Sequence, residues 1–349
     1  MPSVLLLYSS KGKECGNSST SERLRKLLNH AGIGCTCKQI ADFTGAPSLN
    51  NYLQGNHFNC VIGIHAYRTG NLLISCCLPY AIVFAGTDLN THIHDAKKMP
   101  IITEAVLGAR YLIAFTRSHF NLAMAQWPTQ INNIIKQPQS VVTNPQNTFS
   151  FKAHLQEKLG MQEQNLQNIT IFLLVAGIRP IKDPLFLADA VSEWHRKDPS
   201  IYLVIIGPEI DTEFSYKMKE NLLRYTGVYY VDSIPQPKLH MALRQCTALV
   251  NSSINEGMCG VILEAMNLGT PVIARRNAGN CEIVDHLKTG LLFNTPEEFI
   301  GLAKYLLSSH QLRDALVRHA VNYVEAEHSL SKEMETYCNI VHTISGKGL

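Results

Sequence analysis

Two carboxylates and a glycine-bearing loop carry most of the chemistry in this chain. Glu256 and Glu264 stand with seven residues between them in Ser252-Ser253-Ile254-Asn255-Glu256-Gly257-Met258-Cys259-Gly260-Val261-Ile262-Leu263-Glu264-Ala265-Met266-Asn267-Leu268-Gly269-Thr270-Pro271. The pattern predicts a strand ending at Asn251, a loop, and a helix opening near Gly260. Gly269 would end that helix, and Pro271 would start the next strand. Backbone N–H groups of Gly257, Met258, Cys259 and Gly260 would then sit at a helix N-terminus with no carbonyl partners, which is a ready anion site. A carboxylate beside that site would repel phosphate directly but suits the donor hydroxyls of a sugar. Two glutamates at this spacing alone would read as surface decoration. The strand, loop and helix around them favour a ligand that is both anionic and polyhydroxylic.

Other residues could join that chemistry. Arg179 and Lys182 follow Gly177 at the end of an apolar run, where cations could neutralise an anion. His65 ends the run Val61-Ile62-Gly63-Ile64. Gly12 and Gly16 follow the first apolar run and could serve as turn glycines or admit a phosphate or acceptor closely. Cys259 reads as a packing residue, and His92, His94 and Asp95 as surface residues with no third metal ligand at a convincing spacing. Metal ligands are therefore expected to be none. Gly12-Lys13 is followed by Glu14 rather than the Ser or Thr of a P-loop, and Gly32-Ile33-Gly34 lacks the third glycine of a dinucleotide fingerprint. No H-E-x-x-H, G-x-S-x-G, kinase catalytic loop or Asp-x-Asp pair occurs.

The elements that must hold these residues form two series. In the first, strands are expected at Val4–Tyr8, Cys60–Ile64, Ala81–Phe84 and Tyr111–Phe115, with a helix over Glu22–His30. In the second, strands are expected at Ile169–Ala176, Ile201–Ile206, Val228–Val231, Ala248–Asn251 and Pro271–Ala274. Helices are expected there at Pro184–Arg196, Val261–Leu268 and from Pro296 onward. Strands alternating with helices imply right-handed crossovers and parallel sheets. The expected fold is α/β, with two Rossmann-like, doubly wound parallel-sheet domains facing a central cleft. The expected domains are 1–150 and 169–328, joined by a linker at 151–168 and followed by a C-terminal helix, 329–349.

Composition narrows the partners. With 349 residues, 46% of them hydrophobic and only 17% charged, the chain is long and apolar enough to fold as two globular domains. Its 31 basic and 28 acidic residues nearly cancel, so no nucleic-acid partner is expected and anion binding must be local. The ten cysteines include no C-x-x-C pair, which suits buried thiols in a reducing compartment. Met1-Pro2-Ser3-Val4-Leu5-Leu6-Leu7 lacks the length and basic region of a signal peptide. A cytoplasmic location is expected, with secretion as the alternative; N-glycosylation triplets begin at Asn17, Asn168 and Asn251, but such triplets arise readily by chance. No apolar run reaches the roughly 20 residues that span a bilayer.

The Glu256–Glu264 segment resembles the E-x7-E signature of retaining glycosyltransferases of group 1, also called family 4, which have the two-domain GT-B fold. Gly279-Asn280-Cys281-Glu282-Ile283-Val284 and Thr289-Gly290-Leu291-Leu292-Phe293 resemble further parts of that family, and Leu203 to Gly207 resembles the strand and glycine before its nucleotide site. Pro79 to Asp88 resembles the stretch that commonly reads His-Gly-Thr-Asp, with Ala85 in place of the histidine. The resemblance implies a metal-independent retaining transfer of a sugar, such as a hexose, from a nucleotide-diphosphate donor. The acceptor would be a glycan, protein, lipid or small molecule, no cofactor is implied, and the C-terminal helix 329–349 would pack back on the first domain. Glu256 would contact the donor hexose, Glu264 the ribose hydroxyls, and Gly257 to Val261 the diphosphate and adjoining sugar. Arg179 and Lys182 would neutralise the leaving diphosphate, while His65, Gly16 and Gly207 would line the site. The alternatives are a catalytically weak nucleotide-sugar binder, suggested by Ala85, and a GT-B sugar-nucleotide epimerase.

Overall fold

The computed structural model describes residues 2–9, 16–160 and 169–346. Gly12, Asn168 and the last part of the expected linker, 161–168, lie outside the described residues. The chain divides into two compact units, Met1–Ser140 with His328–Leu349, and Val141–Glu327. The division falls before residue 150 because Val141 and Phe149 pack on the core of the second unit. The helix Phe151–Leu159, inside the expected linker, buries Phe151 and Leu155 there as well.

Each unit is an α/β layer structure around one parallel sheet. In the first, β1 (Ser3–Tyr8), β2 (Gly34–Gln39), β3 (Cys60–Ile64), β4 (Tyr80–Val83), β5 (Tyr111–Ala114) and β6 (Ile134–Lys136) lie in the order β2-β1-β3-β4-β5-β6. In the second, β7 (Thr170–Val175), β8 (Ile201–Ile206), β9 (Val228–Val231), β10 (Ala248–Asn251), β11 (Val272–Arg275) and β12 (Leu291–Phe293) lie in the order β12-β11-β10-β7-β8-β9. Every strand pair is parallel.

Central strands are short, continuous apolar runs because helices cover both faces of the sheet. Along β1, Leu5 and Leu7 face one buried layer while Val4 and Leu6 face the other. The helix Leu330–Ile344 belongs to that second layer, where it buries Tyr337, Ile340 and Val341 against the strands and contacts the helix Gly16–His30. Arg23 on Gly16–His30 forms an ion pair with the fully buried Glu333, whose other oxygen accepts the N–H of Ser140 at 2.9 Å.

Among the described residues, the sheets hold three strands beyond those expected from the sequence. These are β2, β6 and β12, and each lies at a sheet edge. In β2, Gly-Cys-Thr-Cys-Lys-Gln keeps one side toward solvent and so lacks an apolar run, while β6 and β12 span three residues each. The helix expected over Pro184–Arg196 starts only at Ala188, after a turn led by Pro184. Gly16 opens a helix rather than lying in the loop after the first strand.

Candidate functional site

In the second unit β7 and β10 are neighbours, but the chain runs outward from them in opposite directions. From β7 it proceeds to β8 and β9 on one side, and from β10 to β11 and β12 on the other. Loops leaving the carboxyl ends of two such strands diverge and open a crevice, the usual ligand position in open parallel sheets. The loop after β7 carries Gly177, Arg179 and Lys182, and the loop after β10 carries Glu256 and Gly257 to Cys259.

The two loops are stitched together across this point. The backbone N–H of Ile254 donates to the Ile181 carbonyl at 3.0 Å, and the Ser252 hydroxyl donates to the Lys182 carbonyl at 3.0 Å. Arg275, at the end of β11, pairs with Asp183 at 2.9 Å and donates to the Ser252 carbonyl at 3.2 Å. Its guanidinium lies 3.7 Å above the Phe186 ring. These bonds bring Lys182 Nζ to 2.5 Å from Glu256 Oε1, although the residues are far apart in sequence. The same oxygen accepts the Ser253 hydroxyl at 2.7 Å and the Asn251 amide at 3.3 Å. Burial pushes the Glu256 carboxyl up, but the Lys182 ammonium with Ser253 and Asn251 outweighs it and holds the group below its ordinary 4.5. Glu256 therefore stays ionised at neutral pH.

Two asparagines and a glycine shape the loop. Asn251 accepts from the Ser253 N–H and from the Asn280 side chain, and its own amide also reaches the Cys259 sulfur. A β-carbon on Gly279 would collide with the backbone carbonyl of Glu256, so only glycine lets this turn pass so close. Gly207, at the end of β8, is under a similar constraint from the Ala176 carbonyl, and its own carbonyl accepts the Tyr230 hydroxyl at 2.8 Å.

The helix Gly260–Asn267 begins beside Glu256, and Cys259 before it supplies no side-chain cap. Its first N–H groups are left for a ligand, with the positive end of the helix dipole behind them. Met258 and Val261 pack on the core, and burial raises the Cys259 thiol to about 12, so that residue offers its backbone. A β-carbon on Gly260 would meet nothing within 4 Å. Arg179 is exposed on the same loop as Lys182, and no side-chain hydrogen bond or ion pair holds it among the described residues. Glu264 lies in this helix, where its Oε1 accepts from Gln236 at 3.3 Å and its Oε2 lies 3.6 Å from His240 Nε2.

His65 and Gly16 belong to the first unit. His65 directly follows β3 with a φ of 84°, a region that non-glycine residues occupy at a cost and chiefly at functional positions. Its Nδ1 lies 2.6 Å from Asp88 Oδ1, and its Nε2 lies 3.1 Å from the Thr87 hydroxyl. Asp88 also accepts the N–H groups of Ala66, Tyr67 and Ala85, which ties the ends of two helices to one carboxylate. Full burial works against the Asp88 charge, yet His65 and these N–H groups hold its carboxyl below 3.8. Ligand-type atoms of His65, Asp88 and His92 lie within 4.8 Å of one another. The Asp88 oxygens are already engaged by the chain, so an ion there would have to displace the bonds that hold both helix ends.

The sequence reading named Glu256, Lys182 and the Gly257–Val261 backbone, and the fold brings these together. It gave no site role to Arg275, Asp183, Asn251, Asn280, Gln236 or His240. Their only local signal is position: Asn251 and Arg275 end strands, and Asn280 adjoins Gly279.

The family model described as "Glycosyl transferases group 1" matches residues 157–322. The chain is 36% identical over 333 residues to "Glycosyltransferase 1 domain-containing protein 1" of Xenopus tropicalis, covering 95% of this chain and 96% of that one. Among solved structures, the sucrose-phosphate synthase of Thermosynechococcus elongatus superposes with a TM-score of 0.77 at 14% identity, covering 99% of this chain and 100% of that chain. Anabaena HepE in complex with UDP-glucose superposes with a TM-score of 0.75 at 14% identity, covering 98% and 99% of the two chains. At these identities the structural likeness bears on the fold, which is that of GT-B glycosyltransferases.

Proposed function

The chain belongs to the glycosyl transferases group 1 family and is a glycosyltransferase, and from that premise we propose a metal-independent, retaining transfer from a nucleotide-diphosphate sugar. The observation that carries the reading is the Lys182–Glu256 pair, set beside an uncapped helix N-terminus where β7 and β10 part. HepE, a structural neighbour, is solved with UDP-glucose, which supports a nucleotide-sugar donor.

In this reading Glu256 accepts hydrogen bonds from the donor sugar's hydroxyls, and Glu264 accepts those of the ribose. Lys182 directs one ammonium N–H to Glu256, leaving two for the diphosphate. Arg179 swings onto the phosphates, and the first-turn N–H groups of Gly260 and Val261 complete the cradle. As the bond from the anomeric carbon to the diphosphate oxygen breaks, negative charge grows on that oxygen, where these positive groups stabilise it. The acceptor oxygen bonds to the anomeric carbon from the same face, and its proton passes to the departing phosphate oxygen. No covalent nucleophile is needed, only positioning and charge stabilisation.

Thermal-shift screening against uridine, guanosine and adenosine diphosphate sugars tests the donor assignment, because a ligand that binds only the folded state raises its melting temperature. The stabilising donor is then followed by NMR with an acceptor panel, with and without a chelator. Retained anomeric configuration and unchanged turnover with chelator are expected. An inverted product, or activity abolished by the chelator and restored by a divalent ion, would refute the mechanism. Donor binding without transfer to any acceptor would favour a nucleotide-sugar binder.

A further inference from the structure

We infer that His240 is a positioning residue for Glu264, holding its carboxylate for the nucleotide ribose through an Nε2–H donor. The inference rests on the ribose reading of Glu264. Gln236 and His240 are four residues apart on the helix Gln236–Gln245, so both lie on one face of it. From that face Gln236 donates to one oxygen of Glu264 at 3.3 Å, and His240 Nε2 stands 3.6 Å from the other.

The His240 ring is committed on its far side. Its Nδ1 accepts the backbone N–H of Asn144 at 2.9 Å, so its proton must lie on Nε2, facing Glu264. With its side chain only 3% exposed, Nε2 is buried and has no hydrogen-bond partner among the described residues. A buried donor left unpaired is costly, and Glu264 needs to move only about half an ångström to satisfy it. Asn144 is held in turn by its neighbours, with Thr143 bonded to Asn267 at 2.8 Å and Gln146 to the Pro237 carbonyl at 2.8 Å. The imidazole is thus braced against fixed backbone. It favours the Glu264 rotamer in which Oε1 and Oε2 keep their remaining lone pairs for a pair of vicinal hydroxyls.

The test compares affinities of a ribonucleoside diphosphate and its 2′-deoxy and 3′-deoxy counterparts by calorimetry, using whichever of UDP, GDP or ADP stabilises the chain most. Wild type should prefer the ribo form by about tenfold or more, the worth of a hydrogen bond to a charged group. Glu264→Gln should lose most of that preference. His240→Phe should cut it at least threefold while weakening each deoxy form, which keeps one of the two hydroxyls, less than the ribo form, and His240→Gln, which keeps a donor, should restore part of it. A wild-type ratio in His240→Phe would overturn the role of His240. A wild-type ratio in Glu264→Gln would overturn the ribose reading beneath it. A long-range ¹H–¹⁵N spectrum of the wild-type ring gives an answer even if a variant does not fold. A proton on Nε2 is expected, and one on Nδ1 would overturn the inference.

Discussion

Lys182 and Glu256 form the charge balance of the crevice, and each depends on the other. Their side chains are 16% and 9% exposed, so water screens the pair little. Replacing Lys182 with Met leaves a buried carboxylate without its cation, an arrangement that costs about 3–5 kcal/mol. Transfer should also fall by about 10²–10³, as when one charge-stabilising donor is removed from a transition state. Glu256→Gln should lose turnover comparably but melt closer to wild type, because the Lys182 ammonium left behind is the more exposed partner and its long side chain can turn toward solvent. Denaturant melts and single-turnover rates on the two variants separate these effects. Acid should act through the same group. Because its folded carboxyl is held below 4.5, the unfolded chain takes up the proton first as pH falls. The stability Glu256 contributes is therefore complete above about pH 4.5 and is lost as pH drops through the lowered folded value. The stability gap between wild type and Glu256→Gln should stay constant from neutral pH down to that point and then shrink. A gap that widens in acid would contradict the assigned direction.

At the scale of elements, the site is made by loops whose course depends on close backbone contacts. Gly279, at the start of a short helix, lies against the Glu256 carbonyl, whereas Gly260 faces open space. Gly279→Ala must push the Glu256 loop aside. It should cost about 1–3 kcal/mol, the range for forced overpacking, and abolish the nucleotide-induced rise in melting temperature. Gly260→Ala should leave the melting temperature within about 1 °C of wild type, since alanine suits a helix, yet weaken donor binding if phosphate approaches that turn. Thermal melts with and without nucleotide distinguish the two. Among the strands in the described residues, nine were legible because they read as unbroken apolar runs, including β9 at a sheet edge, whose Val-Tyr-Tyr-Val keeps both valines buried. β2, β6 and β12 were not, because β6 and β12 span only three residues and β2 keeps one side for solvent.

For the whole molecule, the chain's last helix completes the unit that its first strand began. Helix Leu330–Ile344 closes one face of the first sheet, with Tyr337 fully buried and Glu333 joined to both Arg23 and the Ser140 N–H. Glu333→Ala would leave Arg23 facing a buried gap and should destabilise the first unit by about 3–5 kcal/mol. The second unit holds the nucleotide residues within Val141–Glu327, so its nucleotide-induced stabilisation should persist. Calorimetry should show an early transition insensitive to nucleotide and a later one that still shifts. A single transition lost at all nucleotide concentrations would contradict this division of roles.

The sequence by itself determined the alternation of apolar runs and helices, and with it two parallel-sheet units. It also marked the Glu256–Glu264 segment, because there strand, loop and helix N-terminus are contiguous in the chain. Those features depend on neighbours along the backbone, which spacing records. Only the tertiary structure decided which distant groups meet. It brought Lys182 to Glu256, Arg275 to Asp183 and His240 to Glu264, and it assigned Asp88 to holding His65. The reason lies in strand order. β7 and β10 become neighbours only when the sheet assembles, and until then nothing in the composition of either loop specifies the other as its partner.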